Sequence, residues 1–127
     1  MLYAQMKLGE LAASQRVMKN ASAILFAIVI SDGRGRTIYE SLKKTQGMIK
    51  DLDDPLLTKL YDKIFLVFRS GVPHQQIIPD DYFAFLERLG TLLKEAAAQA
   101  DEAHIGLREA IKFESVIGAA NDRNQSH

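Results

Sequence analysis

From Tyr82 to Ala110, small and apolar residues recur four and three apart: Tyr82, Leu86, Leu89, Leu93, Ala96, Ala100, Ala103, Leu107 and Ala110. A helix turns once in about 3.6 residues, so this rhythm lays one unbroken stripe along a long helix that packs on a partner helix. Pro79-Asp80-Asp81 opens the segment. Proline is tolerated in a first turn, and the acidic pair sits where the helix dipole favours negative charge.

Length limits what that helix can do. A continuous helix from Asp80 to Gly118 reaches about 58 Å at about 1.5 Å per residue. A compact domain of 127 residues has a radius of gyration of only about 14 Å. The segment is therefore expected either to break, with Gly106 the natural point, or to project with an alanine seam that another chain covers. In the second case Ala96, Ala100, Ala103 and Leu107 are the self-association residues, in a homodimer or larger oligomer.

Three further helices precede it. Over Leu2 to Ile30, Val17, Met18, Ala21, Ile24, Leu25 and Ile28 fall on one face, and Ser31-Asp32-Gly33 ends the run. A second helix is expected over Thr37 to Leu52, with Ile38, Leu42, Thr45, Ile49 and Leu52 as its stripe. A third runs from Pro55 to Arg69, apolar over more than half its circumference, with Asp54 as N-cap and Pro55 at the first helical position. The loop from Ser70 to Pro79 carries Ile77 and Ile78, which are expected to tuck against the helices.

The predicted fold is all-α: an antiparallel four-helix bundle with a long C-terminal helix, one domain over residues 1–120 and a disordered polar tail over 121–127. One alternative stands beside it. Ala23 to Ile30 is rich in β-branched residues, and the glycines of Asp32-Gly33-Arg34-Gly35-Arg36 could turn a hairpin over about residues 23–41 in a mostly helical protein. A lone hairpin is marginal without a third strand.

Composition excludes several classes. Hydrophobic residues make up 47% and charged residues 25%, too apolar for intrinsic disorder. Sixteen basic residues balance sixteen acidic ones, which removes the usual electrostatic reason to expect nucleic acid. The basic residues Arg34, Arg36, Lys43, Lys44 and Lys50 stand against Asp32 and Glu40, a local excess read first as a solvated face and second, through Arg34, Arg36, Lys43 and Lys44, as the contact patch of a nucleic-acid-binding regulator. There is no cysteine, hence no disulfide or thiolate metal site, which favours the cytoplasm. The longest apolar run, Ala23 to Ile30, has eight residues, whereas a membrane span needs about 20.

Catalysis requires convergent groups with matched proton affinities. The histidines, His74, His104 and His127, stand apart from one another, and His104 lies two residues from Glu102, a spacing that points the two side chains apart on a helix. Asp51, Asp53 and Asp54 lack the later glycine and glutamate of a calcium loop. The Gly33–Gly35 segment lacks the Lys-Ser or Lys-Thr of a phosphate loop. The chain is thus read as non-catalytic, with no metal and no cofactor.

The aromatic residues are concentrated. Tyr61, Phe65 and Phe68 lie on the third helix, and Tyr82, Phe83 and Phe85 begin the fourth. They are read first as a core cluster. They are read second as a groove that accepts an amphipathic or disordered segment of another protein, with Tyr61, Phe65, Phe68, Tyr82 and Phe85 as partner-binding residues.

Lys44-Thr45-Gln46-Gly47-Met48-Ile49-Lys50-Asp51-Leu52, followed by Leu60-Tyr61-Asp62-Lys63-Ile64, resembles the central part of the flagellin export chaperones of the FliS type, over about residues 43–94. There a Lys-x-Gln-x-Ile-Ile-x-x-Leu helix precedes one carrying Leu-Tyr-Asp. The flagellar regulator FlaF is similar in being a small helical protein with a proline-containing loop after its third helix. The chain departs from the FliS pattern in having Ile24-Leu25-Phe26-Ala27 near the place of an early Leu-Tyr-Asp-Gly, and in extending past Leu93; it also lacks the Asn-Arg-x-Leu-Trp of the FlaF group. The resemblance implies a chaperone or adaptor of the bacterial flagellum that wraps a disordered segment of an export substrate, with Tyr61, Phe65 and Phe68 as anchors.

Overall fold

The computed structural model describes the backbone of residues 2–33, 38–69 and 79–125, and the side chains of 2–30, 40–66 and 80–117. The described residues form helices α1 (Leu2–Gly33), α2 (Ile38–Lys44), α3 (Gln46–Leu52), α4 (Pro55–Arg69) and α5 (Pro79–Gln125). The fold is all-α with a long C-terminal helix. The hairpin alternative is overturned: α1 carries Ala23–Gly33 as helix, and α2 begins at Ile38. Arg34 and Arg36 lie outside the described residues, as do His74, Ile77, Ile78 and His127.

Two boundaries differ from expectation. The expected helix from Thr37 to Leu52 is two helices that meet at Thr45. The buried Thr45 Oγ1 donates to the Ser41 carbonyl at 2.9 Å and to the Leu42 carbonyl at 3.2 Å. A hydroxyl bonded back onto the preceding turn bends a helix, and Thr45 sits at φ −96°, ψ 5°, off the helical region. The four-helix count becomes five for this reason. At the other end, α5 runs helical to Gln125, so the expected disorder from residue 121 is replaced by helical backbone up to that point.

The chain groups into two compact units, Val17–Glu95 and a second built from Met1–Arg16 with Ala96–His127. In the Val17–Glu95 unit the core comprises Ala21, Ile24 and Ile28 of α1, Leu42 of α2, Ile49 of α3, Leu57, Leu60, Tyr61 and Ile64 of α4, and Phe85 and Leu89 of α5. The turn between α3 and α4 fixes how those two helices meet. Asp53 takes the left-handed conformation at φ 50°, and its N–H donates to the Lys50 carbonyl at 3.1 Å, closing α3. Aspartate is among the few non-glycine residues that tolerate this region. Asp54 then caps α4, accepting the Leu57 N–H on Oδ2 at 2.9 Å.

Polar groups inside this unit tie helices together. The Ser41 hydroxyl donates to the Ala27 carbonyl at 3.3 Å, joining α2 to α1. The Tyr61 hydroxyl donates to the Leu42 carbonyl at 2.7 Å, joining α4 to α2. No buried side-chain nitrogen or oxygen among the described residues lacks a hydrogen bond.

Candidate partner-binding site

An open hollow lined by α2, α3 and α4 has a volume of about 680 Å³. The turn at Asp53 brings α3 back against α4, and Lys43 of α2 borders the hollow. Ile49 and Tyr61, both buried, form the apolar wall, while Lys43, Lys50, Asp53 and Asp62 carry charge around it with Gln46 and Thr58 between. Gly47 also lines the hollow, and a Cβ built there would meet nothing within 4 Å. A shallower hollow of about 440 Å³ adjoins at Thr58 and Asp62, continuing along α4 past Lys59 and Lys63 to the exposed Leu66. A concave surface with an apolar wall and a mixed-charge rim suits a segment that inserts one apolar side chain and offers charges of both signs around it.

The aromatic residues singled out in the sequence meet here only in part. Phe85 is fully buried at 0% exposure and Tyr61 is 3% exposed, both in the core. Tyr61 stacks on Phe65 with ring centroids 5.5 Å apart and tilts against Phe85 at 6.3 Å. Phe65 and Tyr82 are half-buried against the same core. The Phe68 side chain lies outside the described residues. Of the five, Tyr61 lines the cavity; Phe85 presents no surface to a partner. Burial of Phe85 follows from its position between α4 and α5, where the ring fills the interior that a groove would have left open.

Sequence reasoning missed Lys43, Lys50, Asp53 and Asp62 as a group. In the sequence Lys43 and Lys50 read only as part of a basic face, and they stand on α2 and α3, either side of the break at Thr45, so no single-helix spacing joins them. The turn at Asp53 that brings Asp62 to them has no periodic pattern either.

In the second unit the alanine seam is already covered. Ala96, Ala100, Ala103 and Ala110 are buried and Leu107 is half-buried. The cover comes from the chain itself: the Lys7 side chain and the Tyr3 hydroxyl lie directly over Gly106. Lys7 folds back along α1, donating to Glu10 at 3.1 Å with its Nζ 5.4 Å from the Tyr3 ring centroid. Its ammonium is held above the usual lysine value chiefly by that hydrogen bond, with burial opposing it and the Glu10, Tyr3 and Glu102 charges adding to it. Small side chains permit this close approach, and α5 continues through Gly106 without a break. Ala96, Ala100, Ala103 and Leu107 are thus occupied within one chain, a correction to their assignment as a surface for a second copy. A signal was present in α1: Ala4, Lys7, Leu11 and Ser14 are spaced three, four and three, and all are half-buried or buried.

No cluster of three or more His, Asp or Glu side chains placed to hold a metal occurs among the described residues. His104 is exposed, and no described helix is long and apolar enough to cross a membrane.

The arrangement defines an all-helical protein of two compact units with a mixed-charge cavity in one of them. The chain matches no protein-family model, no curated protein and no solved structure.

Proposed function

We infer that the protein acts by binding a segment of another protein in the cavity between α3 and α4, without turnover. The carrying observation is the lining itself. Gln46, Gly47, Ile49 and Lys50 come from one of the two stretches that resemble the flagellin export chaperones, and Tyr61 and Asp62 from the other. The two stretches are separate in sequence and face each other across one hollow. On this reading the protein is a flagellar-type export chaperone or adaptor of the cytoplasm. Its partner is a disordered or amphipathic segment that orders on binding, with an apolar residue against Tyr61 and Ile49.

A large side chain at Gly47 tests the reading. Open space surrounds that position, and glycine is the weaker helix former, so Gly47→Trp fills the hollow without disturbing the core. Affinity capture from the native host with the wild type should retain a defined protein that Gly47→Trp loses, with helicity by circular dichroism unchanged. Retention of the same protein by both forms would remove the cavity as the binding site.

A further inference from the structure

We propose that the outward face of α5 over Ile105–Val116 is a self-docking surface that pairs antiparallel with the same segment of a second copy. Ile105, Glu109, Lys112 and Val116 fall within an arc of about 60° at about 100° per residue, while Ala103 and Ala110 lie about 150° away on the covered side. All four are exposed, Ile105 at 57% and Val116 at 69%. Neither Glu109 nor Lys112 has an ion pair among the described residues.

The order of these residues identifies the occupant. Ile105 stands four residues before Glu109, and Val116 stands four residues after Lys112. The face therefore reads apolar, acidic, basic, apolar, and the same from the other end with the two charges exchanged. An antiparallel copy centred between Ala110 and Ile111 sets Ile105 against Val116 and Glu109 against Lys112, each contact made twice about a two-fold axis. That is the self-complementary condition of an isologous dimer. Parallel pairing would instead put Glu109 against Glu109 and Lys112 against Lys112. Phe113, more than half exposed, lies about 70° from the centre of this arc and enlarges the apolar strip on one margin. The chain's zero net charge leaves no long-range repulsion between copies. Three helical turns make a small interface, so the dimer is expected to dissociate on dilution.

Charge exchange tests the pairing in the full chain. Sedimentation equilibrium should show a concentration-dependent monomer–dimer equilibrium for the wild type. Glu109→Lys and Lys112→Glu should each weaken dimerisation at least tenfold with helicity retained. An equimolar mixture of the two variants should regain dimers, and so should the double exchange in one chain. A wild type that stays monomeric at several hundred micromolar overturns the proposal. So do single variants that dimerise as the wild type does, or a mixture that remains monomeric. Gly47→Trp lies in the other unit and leaves this equilibrium unchanged, so loss of either reading is separable from loss of the other.

Discussion

Arg88 grips Asp54 through two parallel hydrogen bonds, Nε to Oδ2 at 2.9 Å and Nη2 to Oδ1 at 2.6 Å, while the same Oδ2 accepts the Leu57 N–H that starts α4. One carboxylate thereby caps α4 and ties it to α5, thirty-four residues away in sequence. Both side chains are partly shielded from solvent, Asp54 the more so. Arg88→Met leaves the cap in place and removes the charged pair, and is expected to cost about 1–2 kcal/mol. Asp54→Ala removes both, adding the roughly 1 kcal/mol typical of a lost cap. Urea denaturation of the two variants and Asp54→Asn, which keeps an acceptor for the cap, separates the contributions. Equal losses for Asp54→Ala and Arg88→Met would show that the cap contributes nothing.

The same pair sets an acid limit on stability. The Asp54 carboxyl is held below its ordinary value of 3.8 chiefly by the hydrogen bond from Arg88, with burial opposing it and the Leu57 N–H and the Arg88 charge assisting. A carboxyl whose folded value is depressed binds fewer protons in the folded chain than in the unfolded one at intermediate pH. Its stabilisation is complete above the unfolded value and is lost as pH falls below about 4 toward the folded value. Denaturation midpoints measured between pH 6 and pH 2.5 should fall more steeply below pH 4 in the wild type than in Arg88→Met. Parallel curves would remove Asp54 as a source of the acid sensitivity.

Phe85 and Phe83 are two residues apart on α5 and occupy opposite environments. Phe85 is fully buried beside Tyr61, and Phe83 is 63% exposed. Phe85→Ala leaves a ring-sized cavity among well-packed neighbours and should cost about 3–5 kcal/mol. Phe83→Ala should stay within about 0.5 kcal/mol, as surface changes generally do. Thermal and urea unfolding of the pair read the contrast, and similar losses for both would contradict the burial pattern.

That contrast also shows how far periodicity carries. The four-three stripe named Tyr82, Leu86 and Leu89, and the side of α5 it marks is the side that is buried. It did not name Phe85, because α5 is enclosed by several helices in the Val17–Glu95 unit and its buried arc widens beyond a two-residue stripe. The start of α4 was legible from Asp54-Pro55, since a cap and a proline act locally. The division of Thr37–Leu52 at Thr45 was not, because it depends on which carbonyl a buried hydroxyl finds. The site was less legible than the fold. Tyr61 was named for its aromatic ring, but Lys43, Lys50, Asp53 and Asp62 converge only because a left-handed residue turns the chain between α3 and α4. The alanine seam was recognised and its cover misassigned, because the spacing of Ala4, Lys7, Leu11 and Ser14 marks a covered face of α1 without saying which helix meets it.

Gly106 is where that cover comes closest. A Cβ added there would lie 3.0 Å from Lys7 Cε, 3.1 Å from Lys7 Cδ and 3.4 Å from the Tyr3 hydroxyl. Two effects oppose each other in Gly106→Ala. Alanine favours the helix over glycine by about 1 kcal/mol, and the new methyl pushes the outer part of a flexible lysine aside. Lys7 is able to move at little cost, so the variant should be more stable than the wild type by a few tenths to about 1 kcal/mol. Removing the lysine removes the opposing term, and Gly106→Ala should then gain more in a Lys7→Ala background than in the wild type. The difference between the two gains is the coupling between the residues in a double-mutant cycle. A larger side chain reverses the sign: Gly106→Leu has no such room and should destabilise the chain by about 1–3 kcal/mol. Equal gains from Gly106→Ala in both backgrounds would show that Lys7 does not lie over Gly106 in solution, and with it would go the assignment of α1 as the cover of the alanine seam.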